Sequence, residues 1–160
     1  MQNKKMQTKI ELALTAYVGQ QVSVKKSSPI AGGCINEAEK LETSSGIFFM
    51  KHNDAKRYPK MFEAEVKGLQ LLKNANEIFV PEVILSGEEG DESFLILEFV
   101  EAAARPKNFF SDFGIRLAKL HKHSTEKFGL DSDNYIGSLT QSNRQHDCWI
   151  DFFIQEKYRG

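Results

Sequence analysis

Ile47-Phe48-Phe49-Met50-Lys51 decides how this chain folds: four apolar residues run straight into a lysine. So short an apolar run, following a turn, reads as a strand. Just upstream, Thr43-Ser44-Ser45-Gly46 is the turn signal, and residues 35–41 read as the strand before it. Further back, Val22 and Val24 alternate with polar residues, and the glycine pair Gly32-Gly33 separates that strand from the next. Three consecutive short strands imply an antiparallel meander. An amphipathic helix opens the chain over residues 7–18, where Ile10, Leu14, Tyr17 and Val18 recur at helical spacing.

Working forward from Lys51, Tyr58-Pro59-Lys60 carries a proline placed to begin a helix. Met61, Phe62, Glu65, Leu69 and Leu72 then recur at three and four residues, predicting a helix to about Asn74. Residues 83–86 and 94–99 read as a strand pair across a solvated acidic turn, Glu88-Glu89-Gly90-Asp91-Glu92. Five strands with one long helix in this order predict an α+β lobe spanning residues 1–101. Residues 102–107, beginning Ala102-Ala103-Ala104-Arg105-Pro106, read as a linker. A helical region over 108–160 comes next: Phe109, Phe113, Leu117 and Leu120 mark a helix ending near His121, residues 129–146 are polar and turn-rich, and Trp149, Phe152 and Phe153 start another helix.

Composition narrows the function classes. The 160 residues carry a net charge of −1 with the charges interspersed, which argues against a nucleic-acid or anionic-membrane surface. No stretch has the length of a membrane span, and the polar amino terminus lacks a secretion h-region, so the cytoplasm is the expected compartment. Cys34 and Cys148 form no disulfide framework or metal spacing. His121 and His123, two apart on a helix, diverge too far to share a metal.

The chemistry-bearing residues each admit a plain reading. Gly32-Gly33 lets a backbone approach phosphate oxygens closely, or is an ordinary hairpin turn. Lys51 is a cation held against phosphates, or the exposed end of a strand. Glu65 is its natural partner because it shares the helix face carrying the apolar positions, whereas Glu63 points away. Leu95-Ile96-Leu97 leads into Glu98-Phe99-Val100-Glu101, where an adenine ring would bond to backbone groups, or where a buried strand simply ends. Glycine turn, strand lysine, helical glutamate and apolar strand before a linker are the parts that hold a nucleoside triphosphate in kinase-type lobes. Cys34 sits among backbone N–H dipoles that favour thiolate, or fills space beside glycine. Cys148 is expected to be packed.

Together the blocks Gly32-Gly33-Cys34-Ile35-Asn36, Phe49-Met50-Lys51, Met61-Phe62 with Ala64-Glu65 and Gly68-Leu69, Phe94-Leu95-Ile96-Leu97-Glu98, Leu117-Ala118-Lys119-Leu120-His121, Phe128-Gly129-Leu130, Asp133-Asn134-Tyr135-Ile136-Gly137 and Trp149 with Phe152-Phe153 resemble the fructosamine (ketosamine-3-) kinases. The resemblance implies the protein-kinase-like fold shared with aminoglycoside and choline kinases. It implies transfer of the ATP γ-phosphoryl group to the C3 hydroxyl of a ketosamine on a small amine or glycated protein, with Mg2+ as the metal. Gly32, Gly33, Cys34, Asn36, Lys51 and Glu65 would then meet the phosphates or hold the residue that does. Glu98, Phe99, Val100 and Glu101 would form the adenine hinge. Asp133, Asn134, Gln141 and Asn143 would lie near the sugar.

Two departures accompany the resemblance. Leu139-Thr140-Gln141 stands where the family shows Thr-Pro-Gln, and the aromatic expected near Gln145 is missing. The family's His-Gly-Asp-Leu-Trp catalytic block, with the catalytic Asp, and its later metal-binding Asp would lie beyond Gly160. The helical lobe is therefore expected to stop short of the catalytic loop, and turnover by these residues alone is not expected. Trp149, Phe152 and Phe153 are expected to leave an apolar patch that promotes association. The alternatives are a kinase of aminoglycoside- or choline-like alcohols, or a non-catalytic, redox-responsive nucleotide-binding module that dimerises through Cys34.

Overall fold

The computed structural model describes residues 2–32 and 35–158, with side chains from Lys4 onward. Gly160 lies outside the described residues, so the expectation of a catalytic Asp beyond it meets no structural observation here. The elements run α1 (Gln2–Val18), β1 (Val24–Pro29), β2 (Glu37–Thr43), β3 (Gly46–Asp54), α2 (Met61–Ala75), β4 (Val83–Glu89), β5 (Glu92–Glu98), α3 (Phe109–Leu120), β6 (Asn134–Ile136), β7 (Leu139–Gln141) and α4 (Trp149–Phe152). A π-helix over Phe153–Tyr158 continues from α4. The chain forms two compact units: residues up to Glu63 with Pro81–Glu101, and Ala64–Val80 with the residues from Ala102 on.

The first unit is a five-stranded sheet in the order β1-β2-β3-β5-β4, every neighbouring pair antiparallel. The meander holds for β1, β2 and β3, but β5 rather than β4 lies next to β3. Alternate strand residues face opposite sides. Phe48 and Met50 therefore share one face, and register carries it across to Leu41 on β2 and Ile96 on β5. Helix α1 covers that face: Met6, Ile10 and Leu14 pack with Leu41, Phe48, Met50, Phe94 and Ile96 in one buried cluster. Fully burying an aliphatic side chain such as Leu14 contributes about 1.5–3 kcal/mol, so the helix is held by its stripe rather than by its mostly polar remainder.

Several local expectations needed correction. Helix α1 begins at Gln2, five residues before the predicted start, because Met6 already belongs to the core. Pro59 does not open α2. Lys60, at φ 60, stands between it and Met61, breaking helical continuity where the chain reverses. Most of the acidic run is strand: Glu88, Glu89 and Glu92 belong to β4 and β5, and only Gly90 and Asp91 turn. Strand β3 runs on to Asp54, so Lys51 is interior to it and not its last residue.

In the second unit the predicted helix at Phe109 is present, with His121 as its C-cap. Residues 129–146 are not purely turns, since β6 and β7 form a two-stranded hairpin. Phe152 is buried, while Trp149 and Phe153 are about half exposed (52% and 47%) and Ile150 more so. Cys148 is exposed at the N-cap of α4, contrary to its expected packing. No helix among the described residues is long and apolar enough to cross a membrane.

Candidate functional site

The sheet face opposite α1 carries the polar groups. Lys51 pairs with Leu95 on β5 and Ala38 on β2, so its neighbours on that face are small or apolar. It is half-buried, and its ammonium lies 5.8 Å from the centroid of the buried Phe62 ring. A cation over an aromatic face is attracted by the ring quadrupole. Phe62 comes from the first turn of α2, and Glu65 follows it by three residues and Met61 by four, placing all three on one helix face. Glu65 is half-buried and Glu63 exposed.

Two residues beyond Lys51 on the same face, Asn53 is buried and anchors the chain just after the glycine turn. Its Nδ2 donates to Asn36 Oδ1 at 2.7 Å, while Ser93 donates to its Oδ1. Asn53 thus ties the start of β2 to β3. The sequence alone did not single it out, although an Asn in an apolar strand is itself the signal of a buried polar role. Gly32 has φ 130, a conformation closed to L side chains, and a Cβ built there would meet nothing within 4 Å. Backbone conformation and open space together suit a turn that lets a ligand approach the main chain. Gly33 and Cys34 lie outside the described residues.

At its far end, β5 closes with Glu98, which pairs with Phe48 and so stands on the side of the sheet that α1 covers. Its carboxylate accepts from the Glu82 backbone N–H at 3.2 Å, so that side chain is committed to the protein. The Lys40 ammonium sits 5.1 Å from the Phe99 ring centroid. Val100 and Glu101 are exposed. Lys51 and the end of β5 thus belong to one sheet, with Asn36 immediately before its β2.

The other predicted group lies in the second unit, around the β6–β7 hairpin. Asn134 pairs with Gln141 across it, and Asn134 Oδ1 is buried with no hydrogen-bond partner among the described residues. A buried acceptor without a donor destabilises by about 1–3 kcal/mol unless something supplies one. Asp133 Oδ1 accepts from the Asn143 backbone N–H at 2.9 Å, and Asn143 itself is buried (4% exposed). Both ends of its carboxamide bond to protein: Nδ2 to the Ser132 carbonyl at 3.1 Å, and Oδ1 to Lys157 Nζ at 2.6 Å. Glu156 Oε1 lies 2.8 Å from His146 Nε2. These partners of the loop, Glu156, Lys157 and His146, were not legible beforehand. His121 is exposed, His123 pairs with Glu77 at 3.4 Å, and no three His, Cys, Asp or Glu groups among the described residues are placed to hold a metal.

Hydrogen bonds from Ser142 first and His146 second hold the Glu156 carboxyl below its ordinary range, against the opposing effect of burial. The folded chain therefore binds that proton less readily than the unfolded chain. The resulting stabilisation is whole above the ordinary carboxylate range and is withdrawn as pH falls through it. Acid unfolding followed by the near-ultraviolet signal of Trp149 should have a shallower acid limb in Glu156→Gln than in the wild type. An acid limb identical to the wild type would contradict this.

Comparison with known proteins finds likenesses over most of the chain. Residues 6–159 match the family model described as fructosamine kinase. A protein of Vibrio parahaemolyticus named probable ketoamine kinase is 37% identical over 131 residues, covering 80% of this chain and 45% of the relative. A chloroplastic protein-ribulosamine 3-kinase of Arabidopsis thaliana is 34% identical over 142 residues, covering 87% and 43%. The crystal structure of a candidate fructosamine-3-kinase from Haemophilus somnus superposes with a TM-score of 0.85 at 30% identity, over 92% of this chain and 50% of that one. The chain spans about half the length of the curated relatives it matches. Nothing in these likenesses supports a dimer linked through Cys34.

Proposed function

Since the chain belongs to the fructosamine kinase family, we propose that it supplies the nucleotide-binding lobe and the first sugar-binding segment of an ATP-dependent ketosamine kinase. The reaction is transfer of the γ-phosphoryl group to the C3 hydroxyl of a fructosamine or related ketosamine on a small amine or protein. The observation that carries this reading is Lys51: half-buried on the face opposite α1 and drawn over the Phe62 ring. Phosphoryl transfer requires little covalent chemistry from a protein and much positioning of charge. Lys51 holds phosphate oxygens, Gly32 opens the main chain to the phosphates, and the backbone after Glu98 receives the adenine.

ATP fits the residues present, because an open glycine turn and a strand lysine are what its phosphates need. Among the described residues no three His, Cys, Asp or Glu side chains are grouped for a metal, and Mg2+ would draw on one or two carboxylates together with the ATP phosphates. In this reading its ligands, and the carboxylate that receives the hydroxyl proton, come from the half of the relatives' length that this chain does not span.

Titration calorimetry tests the proposal directly. The 160-residue chain should bind a non-hydrolysable ATP analogue saturably and fructosyl-lysine separately, and a coupled assay should register no ADP release with both substrates present. Failure to bind the analogue, or sustained turnover by these residues alone, would overturn it. Binding choline or an aminoglycoside in preference to fructosyl-lysine would move the assignment to those kinases.

A further inference from the structure

On the α1 side of the sheet, away from Lys51, the first unit holds a cavity of about 90 Å³. Its floor is apolar: Met6 and Ile10 of α1 meet Leu41 and Met50 of the sheet, all four 5% exposed or less. Its rim is polar and crosses four neighbouring strands, from Ser27 on β1 through Glu39 on β2 and His52 on β3 to Glu92 on β5. Ser27 is exposed, as is Gln7 of α1, which also lines the cavity, so solvent reaches it.

The rim is short of positive charge, since no Lys or Arg is among the described residues that line it. Glu39 accepts from the Ser27 hydroxyl. Glu92 is half-buried, and its carboxylate meets no hydrogen-bond donor or cation among the described residues. His52 does not supply the missing bond: its Nε2 lies 3.5 Å from Glu39 and 3.8 Å from Glu37 and makes no hydrogen bond. A carboxylate drawn out of water without a partner is costly, so a cation is what this rim would take up.

We propose that the cavity binds a short primary alkylammonium ion, with its ammonium between Glu39 and Glu92 and its methylenes on Met6, Ile10, Leu41 and Met50. Each part of the ligand follows from the lining. An ammonium brings three N–H donors and no acceptor, which matches a rim of carboxylates. Thioethers are soft and adapt to a methylene chain. A quaternary ammonium does not suit the site, because it lacks N–H donors and is held by aromatic faces, and no Phe, Tyr or Trp lines the cavity. A divalent metal does not suit it either, since no three His, Cys, Asp or Glu side chains among the described residues are placed to hold one. The cavity is smaller than the ~150 Å³ apolar cavity that takes benzene, which limits the chain to about four carbons. A ligand touching α1 and the sheet together also favours the docked helix. This inference goes beyond the kinase reading and does not rest on it, because Lys51 lies on the opposite face.

The test titrates the chain with n-butylammonium and follows the methyl NMR signals of its methionines. The Met6 and Met50 signals should move saturably with a Kd of about 1 mM or tighter, while that of Met61, which does not line the cavity, stays in place. n-Butanol, of the same shape without the charge, should bind at least about 10-fold more weakly. Tetramethylammonium, K+ and Mg2+ should leave both signals unmoved. Glu92→Gln should weaken n-butylammonium at least about fivefold, whereas Glu89→Gln, which loses only a surface pair with Lys9, should not. If Glu92→Gln misfolds, Glu39→Gln carries the test with the same expectation.

No saturable shift, equal shifts with K+ (a counter-ion site only), butanol bound as tightly as the amine (an apolar hole only), or wild-type affinity in the carboxylate variants would each overturn the inference. None of these results bears on the kinase reading, which the ATP analogue tests separately.

Discussion

Lys51→Met should weaken binding of an ATP analogue by about 10- to 100-fold while changing the stability of the first unit by less than about 1 kcal/mol. The two effects separate because the lysine has two parts. Its stem lies on a sheet face between Leu95 and Ala38 and near Phe62, surroundings that a methionine of similar length and a soft thioether would fit. Its ammonium is what a polyphosphate would miss. A hydrogen bond to a charged group contributes about 1.5–3 kcal/mol, and each step of about 1.4 kcal/mol is a decade in affinity. Lys51→Arg should not restore full binding, because a planar guanidinium fork cannot occupy the place of a compact ammonium. An unchanged dissociation constant in Lys51→Met, with the protein folded, would remove the nucleotide from this face altogether.

How far such a site can be read before coordinates exist depends on the range of the interactions that make it. The strand that carries Lys51 was legible because its signal is local: an apolar run that ends in a charge. Alternation then set its face with no tertiary information. The β3–β5 pairing was not, because strand order depends on contacts distant in sequence, and local patterns show only that strands exist. The acidic run misled for a related reason. Glu89 and Glu92 lie on strand positions toward the sheet end, where Lys9 of α1 reaches Glu89 at 3.1 Å, so charge there marks an ion pair and not a turn. The β6–β7 hairpin had one overlooked signal. Gly137-Ser138 is a two-residue connection between three-residue strands, and Gly137 takes φ 60 as such turns demand. Nothing local announces that Trp149 begins four residues of α-helix and then a π-helix, since the apolar spacing is the same for either. Lys157 and Glu156 were therefore invisible as parts of the loop they hold.

Gly129→Ala should unfold or severely destabilise the second unit. The φ of Gly129 is +132, where an L side chain is strained by about 1–3 kcal/mol. The space is also taken: a Cβ there would lie 2.6 Å from the Asn143 carbonyl oxygen, 2.9 Å from that of Arg144 and 3.0 Å from Gln145 Cα. All three are main-chain atoms and cannot swing aside as a side-chain tip would. Nor can the segments drift apart freely, because Phe128 and His146 exchange backbone hydrogen bonds of 2.9 and 2.8 Å and the Leu130 N–H donates to Asn143. Breaking those three bonds at about 1 kcal/mol each, added to the strain, brings the loss to about 4–6 kcal/mol. That is comparable to the whole stability of a small domain. Trp149, the one tryptophan in the sequence, packs 5.9 Å from Phe128 by ring centroids, so its near-ultraviolet signal reports this unit. The control is Gly68→Ala in α2, where a Cβ meets nothing and alanine should stabilise the helix by about 0.5–1 kcal/mol. If Gly129→Ala kept the wild-type Trp149 signal and melting midpoint, the loop could not be held as tightly as the Lys157 and Asn143 bonds require.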